Sequence, residues 1–188
     1  MGGTTVIMNL STIRFTAFPR TKPPPDFITE LVTVFVKREP SISTVALAKG
    51  LESDDVLAVL AKDISELGFL VEAGKSTGHK IGRPVFYGEN GAPSLRYEID
   101  AYHPQWRCGL EVEAGRGILG NAIFRDLFQA MVMVDVDYLC VAVPNKYKYK
   151  AKGRPRTSAY YDKAIAVADA LYGHSRVAMP YGLAIIGY

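Results

Sequence analysis

Apolar residues recur at helical spacing in the first third of the chain. Asp26 caps a predicted helix over Phe27–Lys37 that Pro40 ends, and a short helix is expected over Thr44–Lys49, stopped by Gly50. Ser53 or Asp54 caps a stronger one, Asp55–Leu67, in which Val56, Leu60, Ile64 and Leu67 share a face and Gly68 supplies the stop. The pattern then changes. Phe69–Ala73, Lys80–Tyr87, Leu95–Ala101 and Arg107–Ala114 read as strands, separated by turn residues at Ser76-Thr77-Gly78, Glu89-Asn90-Gly91 and His103-Pro104-Gln105. Helical spacing resumes over Ile118–Val134. Asp137–Val143 is almost wholly apolar, as a strand covered on both faces is, and Pro144 ends it. A third clear helix over Ser158–Gly173 and a strand over Gly182–Tyr188 complete the chain. The order predicts a mixed α/β fold, a central sheet flanked by helices.

At 188 residues, 48% hydrophobic and 22% charged, the chain has the make-up of one globular domain. We assign it to 26–188, with 26–53 readable as a helical appendage. Residues 1–25, Thr-rich and ending in Pro23-Pro24-Pro25, read as a flexible arm or an edge segment. No apolar run approaches a membrane span, and Met1-Gly2-Gly3-Thr4-Thr5 has no basic start to a signal peptide, so a cytoplasmic protein is expected. Cys108 and Cys140 sit in apolar runs and are expected as buried thiols. His79, His103 and His174 have no zinc-ligand spacing, and Trp106 is expected to plug a hairpin turn.

The chemistry concentrates in acids. Tyr97-Glu98-Ile99-Asp100 and Leu110-Glu111-Val112-Glu113 carry carboxylates at alternate positions. Alternation places Ile99, Leu110 and Val112 on one face and Glu98, Asp100, Glu111 and Glu113 on the other. If the two strands form a hairpin at Gln105-Trp106, residues whose numbers sum to 211 lie opposite, setting Asp100 against Glu111 and Glu98 against Glu113. Two like charges ~4 Å apart at an effective dielectric near 20 repel by about 4 kcal/mol. Such a patch either takes up protons, binds a hard cation such as Mg²⁺, or diverges into solvent and toward Lys and Arg.

Asp100, ten intervening residues, then Glu111-Val112-Glu113 leading into Ala114-Gly115 and a helix resembles the PD-(D/E)XK nuclease motif. It resembles the variant with Glu at the lysine position, as in BamHI/BglII-like restriction endonucleases. The element order over about residues 54–144 (helix, three-strand meander, helix, strand) is similar to that family's core. The resemblance implies a restriction-endonuclease-like fold and Mg²⁺- or Mn²⁺-dependent hydrolysis of a phosphodiester. It implies Asp100, Glu111 and the backbone carbonyl of Val112 as metal ligands, with Glu113 at the lysine position as base. The residue before Asp100 is Ile99 where the motif has proline. Such nucleases often add an acid from the preceding helix, and Asp63 and Glu66 are the candidates, flanking the apolar stripe at about 60° and about 120°.

Lys146, Lys148, Lys150, Lys152, Arg154 and Arg156 fall at every second position, so an extended, flexible loop would point six cations one way, toward phosphates. Asn121, Arg125 and Gln129 form a polar stripe on the helix after the motif, and Arg125 and Asn121 are further candidates for nucleic-acid contact. DNA is the expected partner and a homodimer the expected assembly. Two other classes compete. Phe27–Leu67 followed by a hairpin would suit a winged-helix DNA-binding protein, although its third helix is acidic. Gly115-Arg116-Gly117-Ile118-Leu119-Gly120 matches a dinucleotide fingerprint, although two glutamates precede it.

Overall fold

The computed structural model describes residues 11–72, 80–115 and 122–188. Strand β1 (Arg14–Phe18) precedes helices α1 (Asp26–Ile42) and α2 (Ser53–Glu66). Five strands follow: β2 (Leu70–Val71), β3 (Ile81–Tyr87), β4 (Pro93–Ile99), β5 (Ala101–His103) and β6 (Cys108–Val112). Then come α3 (Ala122–Val132), β7 (Tyr138–Val143), the hairpin β8 (Lys146–Ala151) and β9 (Arg154–Ala159), α4 (Tyr160–Gly173) and β10 (Gly182–Gly187).

Six strands make one sheet in the order β1-β10-β7-β6-β5-β2. Strands β6, β7 and β10 run parallel and the others join antiparallel. Helices α1 and α2 cover one face, where Leu31, Phe35, Leu60 and Ile64 meet Leu110, Val112 and Ala142. Helices α3 and α4 cover the other, where Ile123, Leu127 and Ala164 meet Leu139, Val141 and Ile185. With both faces covered, every residue of β7 is buried, which is why that run has no polar alternation. Among the described residues no helix is long and apolar enough to cross a membrane.

Several elements differ from expectation, each for a local reason. Helix α1 runs through Pro40 to Ile42. Proline costs one hydrogen bond in that last turn, but Ile42 is fully buried and the Ser43 N–H still donates to the Glu39 carbonyl at 2.9 Å. Helix α1 is no appendage, because Ile28, Leu31, Val32 and Phe35 lie in the main core. Each such burial contributes roughly 1.5–3 kcal/mol. Residues 44–49 form turns rather than a helix. The Thr44 hydroxyl is drawn inward, donating to the Tyr188 carbonyl at 2.6 Å, and it accepts the Lys146 N–H at 3.2 Å. The three-helix unit of a winged-helix protein is therefore absent here, and α1 and α2 lie on the sheet. Within the stretch read as an arm, residues 14–18 pair with β10 as an edge strand.

The strand expected over Leu95–Ala101 breaks at Asp100. Strand β4 pairs only with β3, in a separate two-stranded ribbon, and β5 alone joins β6. Ile99 consequently joins the α3–α4 core instead of the face of Leu110 and Val112. Gly109 permits this, since a Cβ there would fall 2.2 Å from the Ile99 Cδ1. The basic segment is likewise a hairpin, reversing at Lys152 and Gly153, both with positive φ. Cys108 and Cys140 are buried thiols with sulfurs 3.7 Å apart. His103, at the turn after β5, is buried, and Trp106 stacks on it and on Phe27, plugging the turn as expected.

Candidate active site

Strand β5 pairs with β6 in the expected register, Ala101 with Leu110, Tyr102 with Gly109 and His103 with Cys108. Beyond Ala101 the main chain bends away and a side chain takes over the pairing. The Val112 N–H donates to the Asp100 Oδ2 at 2.8 Å, while the Asp100 carbonyl accepts the Glu72 N–H at 2.9 Å. Asp100 is thus pinned from both sides. Across each peptide C=O and N–H point opposite ways. The Glu113 N–H donates toward β7, to the Ala142 carbonyl, so the Val112 carbonyl lies on the edge of β6 that faces Asp100.

Leu110 and Val112 fill the α1–α2 core, so alternation turns Glu111 to the other face. There a cleft of about 420 Å³ opens, lined by Glu72, Lys80, Glu98, Asp100, Glu111, Arg125 and Asp126. Glu113 lies beside this wall, its Oε1 3.7 Å from the Arg125 Nη2. Asp126 is 2% exposed. Its Oδ1 accepts the Arg125 Nε at 3.0 Å and Nη2 at 2.8 Å.

Burial and mutual repulsion hold these acids toward their neutral forms. Burial raises Asp100 to about 6, helped by the charges of Glu72 and Asp126 and opposed by the Val112 N–H. Glu111 is raised well above the usual carboxylate range, first by burial and then by Asp100 and Asp126. Glu113 is raised to about 7 by burial and by Asp126 against it. Burial also raises Asp126, against the pull of Arg125. Among the described residues three cations line the cleft, Lys80, Arg96 and Arg125. Lys80 bonds to Glu72, which raises the ammonium, and lies 4.0 Å from Glu98. Arg125 serves Asp126 and Glu113.

Among the described residues no three His, Cys, Asp or Glu side chains are already arranged as a metal cage. The donor set nevertheless suits a hard divalent ion in type. Asp100 and Glu111 are half-buried carboxylates that repel each other, and the Val112 carbonyl lies on the edge of β6 beside them. A cation would relieve a repulsion that Arg125, with its side chain 61% exposed, only partly offsets.

Other expected residues lie elsewhere. Asp63 is held by Arg38 and Lys37, which lower it to about 2 and tie α2 to α1. Glu66 is exposed on α2, 4.0 Å from Lys62. Neither lines the cleft. Glu98 does line it, but opposes Gly82 on β3 rather than Glu113, because β4 left the sheet. The basic hairpin presents two faces instead of one. Opposed residues sum to 305, an odd number, so even-numbered residues on the two strands point to opposite sides. Lys146, Lys148 and Lys150 share one face, and Lys148 reaches the Leu47 carbonyl on the α1–α2 side. Arg154 and Arg156 share the other face with Tyr147 and Tyr149, and Tyr147 packs on Tyr160 of α4. Lys152 occupies the turn. Asn121 and most of the Gly115–Gly120 motif lie outside the described residues.

Glu72, Lys80 and Asp126 escape the sequence reading. Asp126 left a trace: at 100° per residue it falls within the stripe of Ile123, Leu127 and Ala130, a charge among core positions. Glu72 and Lys80 come from separate short segments that only the folded chain brings together.

No protein-family model matches the chain, and no curated protein is similar to it. A solved structure is. The crystal structure of restriction endonuclease BglII complexed with a DNA 16-mer aligns with a TM-score of 0.53 at 12% sequence identity. The alignment covers 94% of this chain and 76% of that one. The fold is restriction-endonuclease-like. In this restriction-endonuclease-like fold the acidic cleft opens where β5 gives way to Asp100, beside the C-terminal end of β6.

Proposed function

We propose that the protein is a divalent-cation-dependent endonuclease that hydrolyses phosphodiester bonds in DNA, of restriction type and acting as a homodimer in the cytoplasm. One observation carries the reading. The Val112 N–H on Asp100 ties the two acidic segments together at the point where Asp100 and Glu111 line one cleft. The fold supports it, and the similar BglII structure holds DNA.

In this reading Asp100, Glu111 and the Val112 carbonyl hold Mg²⁺ or Mn²⁺. The ion supplies charge stabilisation for the pentacovalent phosphate and acidifies water. Glu113, raised to about 7, is suited to take a proton from the attacking water near neutral pH. Arg125, at the cleft wall and largely exposed, is placed to hold a phosphate. Lys146, Lys148, Lys150, Lys152, Arg154 and Arg156 leave the sheet just after β7, whose C-terminal end lies beside that of β6. They supply sequence-independent, salt-sensitive attraction for the backbone of DNA.

The test is plasmid cleavage. Supercoiled DNA with Mg²⁺ should be nicked or linearised by the native chain, and Glu111→Ala should still bind DNA without cutting it. Undiminished cleavage by Glu111→Ala would remove the assignment.

A further inference from the structure

Asp126 has an environment that a structural aspartate does not need. It sits on the core-facing stripe of α3 at 2% exposure, where an ionised carboxylate is costly unless each oxygen is satisfied. Both Arg125 donors go to Oδ1. Among the described residues Oδ2 has no hydrogen-bond partner and is closed off from solvent. Its surroundings are acidic, since Asp126 lines the cleft with Asp100 and Glu111 and raises the acids around it, Glu113 most directly. Of the other described cations that line the cleft, Lys80 is engaged by Glu72 and Arg96 is exposed on β4. Apart from Arg125 on Oδ1, the side chain that bonds to Asp126 is Glu113, itself an acid, so among the described residues no cation meets Oδ2, and a positive ligand would suit it.

We propose that Asp126 is a further ligand of the divalent cation, acting with Glu113 from the α3 wall of the cleft, an inference that rests on the nuclease reading above. Arg125 then offsets part of the Asp126 charge until the cation arrives and competes with it for the carboxylate. An asparagine at 126 keeps an acceptor for Arg125 and the shape of the side chain, but loses the charge.

Titration calorimetry with Mn²⁺ alone, without DNA, tests this on the full chain, with folding of each variant checked by circular dichroism and thermal melting. Asp126→Asn should weaken Mn²⁺ binding by at least about tenfold, as Asp100→Asn should. Arg125→Ala should leave Mn²⁺ affinity unchanged or tighter, because it removes a competing cation. Native-like affinity in Asp126→Asn, alongside loss in Asp100→Asn, would overturn the role of Asp126 and leave the nuclease reading intact. Should Asp126→Asn fail to fold, Arg125→Ala decides, and weakened Mn²⁺ binding there would make the pair structural and refute the proposal. No Mn²⁺ binding by the native chain would defeat both readings.

Discussion

Replacing Gly109 by alanine asks whether the acidic cleft owes its shape to one missing methyl. Gly109 and Glu111 face the same side of β6, and Ile99 fills the space above Gly109. An added Cβ would lie 2.2 Å from the Ile99 Cδ1 and 3.3 Å from the Leu139 Cδ1. Ile99 is 2% exposed and Leu139 fully buried, so neither can swing outward. Overpacking of this kind costs about 1–3 kcal/mol. Gly→Ala at an unstrained strand position would otherwise gain up to about 1 kcal/mol of chain entropy, so the sign of the change identifies the clash. Because Ile99 directly precedes Asp100, relief of the clash also moves the Asp100–Val112 tie. We expect Gly109→Ala to lose about 2 kcal/mol in urea unfolding at neutral pH and to lose plasmid cleavage with it. Ile99→Val removes the colliding Cδ1 and costs about 1 kcal/mol alone. In the Ile99→Val background the alanine should cost at least about 1 kcal/mol less, a coupling that a double-mutant cycle measures directly. Strictly additive energies would show that the bend has another origin.

Three other perturbations follow from the same geometry. Burial raises Asp100 from 3.8 to about 6, so between those values the unfolded chain binds fewer protons and stability falls as pH rises. Asp100→Asn, whose amide oxygen still accepts the Val112 N–H, should be more stable than the native chain in chelator at about pH 8 by up to about 3 kcal/mol; a less stable variant in urea unfolding would contradict this. Asp63 moves the other way, from 3.8 to about 2, so its contribution is complete above the unfolded value and disappears as pH falls through about 2. Asp63→Asn should therefore flatten the acid limb of the stability profile, and an unchanged limb would count against the Arg38 and Lys37 clamp. Finally, replacing Lys146, Lys148 and Lys150 together should lower the log–log salt slope of DNA binding by roughly 0.9 for each phosphate that is no longer neutralised. Replacing Arg154 and Arg156 instead removes the face that lies toward α4. Identical effects of the two sets on binding and cleavage would argue against a two-faced hairpin.

The helical and apolar periodicities located α1 to α4 and the doubly covered strand β7, because an amphipathic stripe or a buried strand leaves its period in the chain, whereas the hairpin β8–β9 went unread as strands. The β5–β6 register was equally legible from the turn at Gln105-Trp106. What escaped were effects of small size and long range. The break at Asp100 depends on a hole above Gly109, and the buried position of Thr44 depends on a carbonyl at Tyr188, 144 residues away. Alternation treated Ile99 through Ala101 as one continuous strand and therefore misplaced Ile99 and Glu98. The six alternating cations were read as an extended run, and the reversal at Lys152-Gly153, already visible as a turn pair, divides them by parity. Asp126 was available as a charge inside an apolar stripe, whereas the nearness of Glu72 and Lys80 to Asp100 exists only after folding.

The junction at Asp100 gives one residue two obligations. One carboxylate oxygen stands in for a missing strand, so whatever enters the cleft must share this group with the scaffold that holds it. Removing the side chain would loosen the end of the sheet and empty the cleft together. Evolution or engineering can therefore exchange the acids around it more freely than Asp100 itself, where only a replacement that keeps an acceptor for the Val112 N–H, such as asparagine, alters the site without altering how the sheet ends.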